Sequence, residues 1–209
     1  MIYTVGSSKN KFLPLDGFRK KFLVDRKHQG ANIDGLNPYY CELTGLYYMW
    51  KHEKDSIVGL EHYRRYIYRD GKMITREAAE DILGRNDIIL VPYRHPRKRT
   101  TYEWFITANK LADIDKWILC IDRACPGFLP VFADYMNSNR LYICNMFISS
   151  RKVMDAWCSW LFPMLSLYDR ATGLAESNKR IDGYLAEHTL GAWCMWKGLR
   201  IAECAMHMP

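Results

Sequence analysis

Glu61, His62, Tyr63, Arg64 and Arg65 follow one another without interruption, directly after the apolar run Val58-Gly59-Leu60. Guanidinium forks match phosphate oxygens, and two adjacent arginines at a strand end can converge on one anion while His62 and Tyr63 add hydrogen bonds to it. The competing reading pairs Glu61 locally with an arginine, packs the tyrosines and leaves the rest to water, where ion pairs contribute little. Two further places could do chemistry. Asn145 interrupts the apolar run "LYICNMFIS", and an amide buried there needs either a protein partner or a ligand. Asp113-Ile114-Asp115 has the D-x-D spacing of a metal-diphosphate site. It also opens the helical pattern "DIDKWILCIDRAC", where acids oppose the positive helix end, and this second reading is favoured.

The elements that must position these groups are read from periodicity and punctuation. "IYTV" is a first buried strand stopping in the polar turn Gly6-Ser7-Ser8, and residues 10–36 are a long loop with room for one short strand. "NPYYCELTGLYYMWKH" is a helix with Asn37 as N-cap, Pro38 at the first helical position, and Leu43, Tyr47 and Trp50 on one face. "DSIVGL" is a strand, Thr75 caps a helix through Leu83, and "DIILV" is a strand stopped by Pro92. Helical periodicity returns in "TYEWFITAN", 113–124 and 129–137. "LYICNMFIS" is then a strand, "KVMDAWCSWLFPML" a helix, 182–197 the last helix, and "LRIAE" a closing strand. This alternation predicts an α/β layer structure. A strand end in an open α/β sheet borders a crevice where ligands collect, which favours the anion reading of residues 61–65.

A chain of 209 residues supports one sizeable core and is short for two. Lys and Arg exceed Asp and Glu by 30 to 23, a net charge of +7, which favours an anionic partner such as a nucleotide, nucleic acid or lipid headgroup. The seven cysteines are odd in number and lack a C-x-x-C pair, so neither a disulfide framework nor a zinc site is signalled and a reducing cytoplasm fits. Neither a leader-like apolar segment nor a run of about 18 apolar residues is present. The basic and aromatic stretch 93–105, with Arg94, His95, Arg97, Lys98 and Arg99 beside Tyr102, Trp104 and Phe105, suits an anionic membrane surface, with a solvated loop as the alternative.

"NPYYCELTGLYYMWKH", "IVGLEHYRRYI", "DIILVP", "LYICNMFI" and "RIDGYLAEHTL", in that order over residues 37–200, resemble the successive signatures of the DUF4422 family of capsular and exopolysaccharide biosynthesis proteins. The resemblance implies a GT-A-like single domain, with a central, mostly parallel sheet flanked by helices. It also implies transfer of a sugar, from a nucleotide donor of the UDP-linked kind, to a capsular, O-antigen or exopolysaccharide acceptor carried on a polyprenyl diphosphate at the inner face of the cell membrane. On that reading Glu61, His62, Tyr63, Arg64 and Arg65 face the donor diphosphate in place of a D-x-D motif. This favours metal independence, with Mn2+ or Mg2+ on Glu61 and His62 as the alternative. Glu187 matches the acid of the family's Gly-Phe-x-x-Glu-Arg signature, with Gly183-Tyr184 for Gly-Phe and His188 for the arginine. It is the candidate base, and Asp182 its rival nearer the helix mouth. By the same analogy Gly6, Ser7, Ser8 and Lys9 hold the nucleotide. Glu42, Asn145, Arg180 and Gly183 belong to the donor-sugar or acceptor pocket, with Glu42 alternatively bracing the arginines, Asn145 satisfied by backbone, and Arg180 or Lys197 paired with Glu187. Two other classes stay open: a nucleic-acid-binding domain, against which the dispersed basic residues and lack of a binding motif speak, and an inactive transferase-like subunit.

Overall fold

The computed structural model describes residues 1–94, 99–173 and 178–209, with the side chain of Arg94 excepted. Its strands are β1 (Ile2–Gly6), β2 (Arg19–Leu23), β3 (Ile57–His62), β4 (Tyr66–Arg69), β5 (Lys72–Met73), β6 (Ile88–Arg94), β7 (Arg140–Ser150), β8 (Ile201–Glu203) and β9 (Ala205–His207). Its helices are α1 (Asn37–Tyr40), α2 (Leu43–His52), α3 (Arg76–Leu83), α4 (Thr101–Ala108), α5 (Leu111–Ala124), α6 (Leu129–Asn137), α7 (Arg151–Thr172) and α8 (Ile181–Trp196).

Six strands form one sheet in the order β2-β1-β3-β7-β6-β8. β1 runs parallel to β2 and β3, and β6 parallel to β8, while β7 is antiparallel to both of its neighbours. The expected α/β layering with a mostly parallel sheet is therefore present, β7 being the reversed strand. Side chains alternate across this sheet as the pleat requires. Ile88 and Leu90 of β6 join the larger core with Tyr3, Val5, Val58 and Leu60, packed on the side of α2 and α4–α8. Ile89 and Val91 join a smaller core with Ile2, Met146 and Ile148, closed by α3 and by a three-stranded sheet in the order β5-β4-β9.

Several boundaries differ from expectation for identifiable reasons. The helix from Asn37 breaks at Cys41, whose backbone is left-handed (φ 51°), so α1 and α2 are separate, and Leu36 rather than Asn37 is the N-cap. β6 passes through Pro92 instead of stopping there, because the register shifts between Leu90 and Pro92, the kind of irregularity that tolerates proline. Thr75 does cap α3, and Thr100 with Glu103 forms a capping box on α4. Asp113 lies in the first turn of α5 as expected, but it is also buried, accepting from the Tyr168 hydroxyl and the Asn178 amide.

α8 is buried on almost all sides, and at Gly191 it meets the ring of Tyr135 on α6. A Cβ there would lie 2.4 Å from the Tyr135 hydroxyl oxygen, which is itself fixed by accepting from Tyr142 N. Gly191→Ala is expected to destabilise the protein by about 1–3 kcal/mol through overpacking, read as a lowered midpoint in urea denaturation.

Candidate active site

The parallel strands β1 and β3 end side by side, and the cleft lies where they end. After Leu60 the chain turns tightly. His62 and Arg65 exchange backbone hydrogen bonds across Tyr63-Arg64, and Tyr63 N donates to Val5 O, which locks the turn against the end of β1. The turn comes so close that a Cβ on Gly6 would sit 2.8 Å from Tyr63 Cβ, so glycine there is a packing requirement. Between this edge and α1 lies a cleft of about 350 Å³, the size range of small-ligand sites. Gly6, Ser7, His62 and Tyr63 form one wall, and Asn37, Cys41, Glu42 and Arg180 stand opposite. Cys41, Glu42 and Arg180 continue into a narrow neck with Gly183, Tyr184 and Glu187.

The neck is built on strained backbone. Among the described residues, five non-glycine residues have positive φ, and four of them, Cys41, Cys144, Asn145 and Arg180, belong to this region. Such conformations persist only where surrounding contacts impose them, and they concentrate at functional sites. Cys144 and Asn145 bulge out of β7. The bulge lets Cys144 O accept from His62 Nε2 at 2.7 Å, and it sends Asn145 Nδ2 to Glu42 Oε1 (2.7 Å) and Gly183 O (3.0 Å). Asn145 Oδ1 stays buried without a partner among the described residues.

Glu187 is the group whose chemistry this environment changes most usefully. Burial pushes its carboxyl up to about 7, and Glu42 pushes the same way, while the Cys144 N–H, Arg65 and Arg180 oppose the rise. A carboxyl poised near neutrality accepts a proton and returns it at similar cost, as a general base requires. Asp182, its rival, does not face the cleft. It is wholly buried, and its carboxyl is pushed well above the usual carboxylate range by burial and by the neighbouring charge of Asp169, which accepts from the Tyr40 hydroxyl. His188 is also buried, with Nδ1 on Tyr184 O, its ring edge-on to Phe105, and its basicity lowered to about 4 by burial. In this chain position 188 faces the core.

Other expected site residues separate into those brought to the cleft and those turned away. Glu61 is turned away. It is fully buried on the opposite face of β3, bound by Arg19 Nε and Nη2 at 2.8 and 3.1 Å, and it accepts from Ile67 N. The pairing with an arginine is real, but the partner is Arg19, far away in sequence. Arg64 and Arg65 both act on Cys144 from the turn. Arg64 is exposed over the Tyr63 ring, and Arg65 also acts on Glu187. Neither forms an ion pair among the described residues, so both cations are uncommitted. Glu42 braces Asn145 instead of the arginines. Ser7 reaches the cleft, but Ser8 is spent on Asp25 and Lys9 is exposed outside it. Of the stretch 93–105, residues 95–98 lie outside the described residues. Tyr93 packs against Trp104, and Phe105 is buried in the core. Cys41 and Asn10 are lining residues that sequence reasoning passed over, and Asn37 and Tyr184, read there as an N-cap and as the signature's aromatic, also line the cleft and its neck. The one available signal was the polar break "NPYYCE" ahead of an apolar helix.

Glu61 and His62, the alternative cation ligands, are turned to protein partners. Both oxygens of Glu61 are committed on the far face and His62 Nε2 donates to a carbonyl, and among the described residues no group of three or more His, Cys, Asp or Glu is placed to hold a metal ion. No helix among the described residues is long and apolar enough to cross a membrane.

Fold and cleft together define an α/β protein with a cleft at the carboxyl ends of adjacent parallel strands, where ligands collect in open sheets of this kind, and a carboxyl at its inner end. The chain belongs to the family described as "Domain of unknown function (DUF4422)", whose model matches residues 4–198. Its fold is similar to that of the WbbM bifunctional glycosyltransferase in its apo structure, with a TM-score of 0.79 and 21% identity. The likeness covers 99% of this chain but only 45% of that one. Comparison with curated proteins finds no match.

Proposed function

We propose that this protein is a glycosyltransferase that moves a sugar from a nucleotide donor, UDP-linked, to a glycan acceptor of a capsular, O-antigen or exopolysaccharide pathway at the inner face of the cell membrane. The observation that carries the reading is the continuity of the cleft at the ends of β1 and β3 with a neck ending on Glu187, whose carboxyl stands near 7. In this reading the nucleoside lies along Gly6, Ser7 and Tyr63, and the donor sugar sits at the mouth of the neck beside Cys41, Glu42 and Arg180, since the neck itself, about 20 Å³, holds little more than a water molecule. Glu187 takes the proton of the attacking hydroxyl as the new glycosidic bond forms. The bond to the diphosphate breaks at the same time, and the departing oxygens gain negative charge that Arg180, Arg65 and Arg64 stabilise. The cations replace a metal ion in that task. The similarity of fold to a glycosyltransferase supports the class of reaction without naming donor or acceptor.

Thermal denaturation with added ligands tests the donor, because a ligand that binds only the native state raises its melting temperature. UDP and UDP-sugars are expected to stabilise the protein more than GDP, in EDTA as well as without it. Arg65→Ala and Arg180→Ala are expected to shrink that shift. A shift that appears only with Mn2+ would restore the metal, and stabilisation by single-stranded oligonucleotides alone would hand the site to nucleic acid.

A further inference from the structure

Beyond the neck the groove opens again. A second cleft of about 400 Å³ begins at Arg180 and Tyr184, which it shares with the neck, and continues to Asn109, Lys110, Asn178 and Lys179. Among the described residues its lining holds three cations and no carboxylate. Like charges gathered at one cavity repel, so the arrangement favours an anion between them. Arg180 and the turn that leads to it are held in place by their frame. Asn178 Nδ2 donates to Asp113 Oδ2 on α5, Arg180 N donates to Pro38 O, and the Arg180 guanidinium lies over the Tyr184 ring, 5.4 Å from its centre. Among the described residues the carboxylate in that frame, Asp113, is buried and committed to Tyr168 and Asn178. Leu111, directly after Lys110, and Ile106, three residues before Asn109, are exposed large apolar side chains.

We propose that this second cleft binds the phosphate group of the acceptor. The inference rests on the donor reading of the first cleft. Displacement at the sugar carbon places the incoming hydroxyl opposite the departing diphosphate, and Glu187 lies in the neck between the two clefts, where it reaches a hydroxyl arriving from the second. A phosphate on the acceptor anchors it to Lys110 and Lys179 while its sugar stacks toward Tyr184. The exposed Leu111 and Ile106 suit a hydrocarbon attached to that phosphate.

Inorganic pyrophosphate is the probe, added to the whole chain with the first cleft saturated by UDP. At a hundredfold excess over its dissociation constant it is expected to raise the melting temperature by about 5 °C beyond UDP alone. The double variant Lys110→Glu/Lys179→Glu, in which both altered side chains are exposed, is expected to lose that increment while keeping the UDP shift. Farnesyl diphosphate binding at least about tenfold more tightly than pyrophosphate would identify a lipid-linked phosphate as the source, and equal binding a water-soluble sugar phosphate. Both results support the cleft assignment. No increment in the parent protein, or an increment that survives the double variant, overturns it. Failure of UDP to stabilise the protein would defeat the donor reading instead, and the lysine-dependent pyrophosphate shift would still decide the second cleft.

Discussion

Glu187→Gln is expected to cut sugar transfer by about 10²–10⁴-fold in kcat, the range that a positioned general base supplies, while UDP still raises the melting temperature as it does in the parent protein. The amide has the shape of the carboxylate and still accepts from Cys144 N, so the bulge of β7 and the neck keep their form, but it cannot take the acceptor's proton. In the parent protein kcat/KM is expected to rise with pH and level off above about 7, where Glu187 loses its proton. The residual activity of the variant should lack that limb. Stability follows the opposite sign. The folded carboxyl holds a proton up to about 7, whereas its ordinary value is 4.5, so the native state binds more protons than the unfolded state between those values and loses stability as pH rises through them. Glu187→Gln flattens that part of the profile. Asp182→Asn, altering a carboxyl that faces Asp169 and not the neck, should leave transfer within a few-fold of the parent. If Glu187→Gln transfers sugar at the parental rate, the base lies elsewhere, and an unchanged pH limb would say the same.

The parts of the site that could be read from the sequence are those with local signatures. Apolar β-branched runs ending in polar groups marked β1 and β3, and the crevice does lie at their ends. The last helix showed its length and its acids, but two acids five residues apart in "DGYLAE" cannot be ranked by periodicity. Packing ranks them: α7 brings Asp169 to Asp182, while the β7 bulge brings Cys144 N to Glu187. The bulge itself was illegible, since positive φ at Cys144 and Asn145 leaves no mark when neither residue is glycine. The same holds for Cys41, where a continuous helical pattern hides the break between α1 and α2. Strands β4, β5 and β9 have two to four residues each, too few for a period of two to register. Their sheet is nonetheless what closes over the far face of β3 and takes Glu61 away from the ligand.

That far face supplies the largest expected effect on stability. Arg19→Met is expected to destabilise the protein by about 3–5 kcal/mol, the cost of leaving a buried charge without its partner, or roughly 10 °C in melting temperature for a chain of this size. Arg19 gives two hydrogen bonds to Glu61 and one each to Asp16 and Ile74 O, and the Arg19–Glu61 pair has no exposed side-chain surface. Burial already raises the proton affinity of Glu61, and Arg19 is the main group holding it down. Without Arg19 the carboxyl takes up a proton more readily in the folded state, so the variant should suffer least at low pH and lose stability as pH rises above the ordinary carboxylate range. Adding Glu61→Gln removes the charge and keeps an acceptor for Ile67 N, so the double variant should recover more than half of the loss, leaving the contacts to Ile74 O and Asp16 unreplaced. Denaturation of the three variants at pH 5 and pH 8 measures the cycle, and a single-variant loss below about 1 kcal/mol would mean the pair is not dry. Glu61 also holds Ile67 N, just beyond the turn that carries Tyr63, Arg64 and Arg65. Arg19→Met should therefore weaken the UDP-induced shift as well, although Arg19 lines neither cleft, because the cations around the donor are placed by the hairpin that this buried pair anchors.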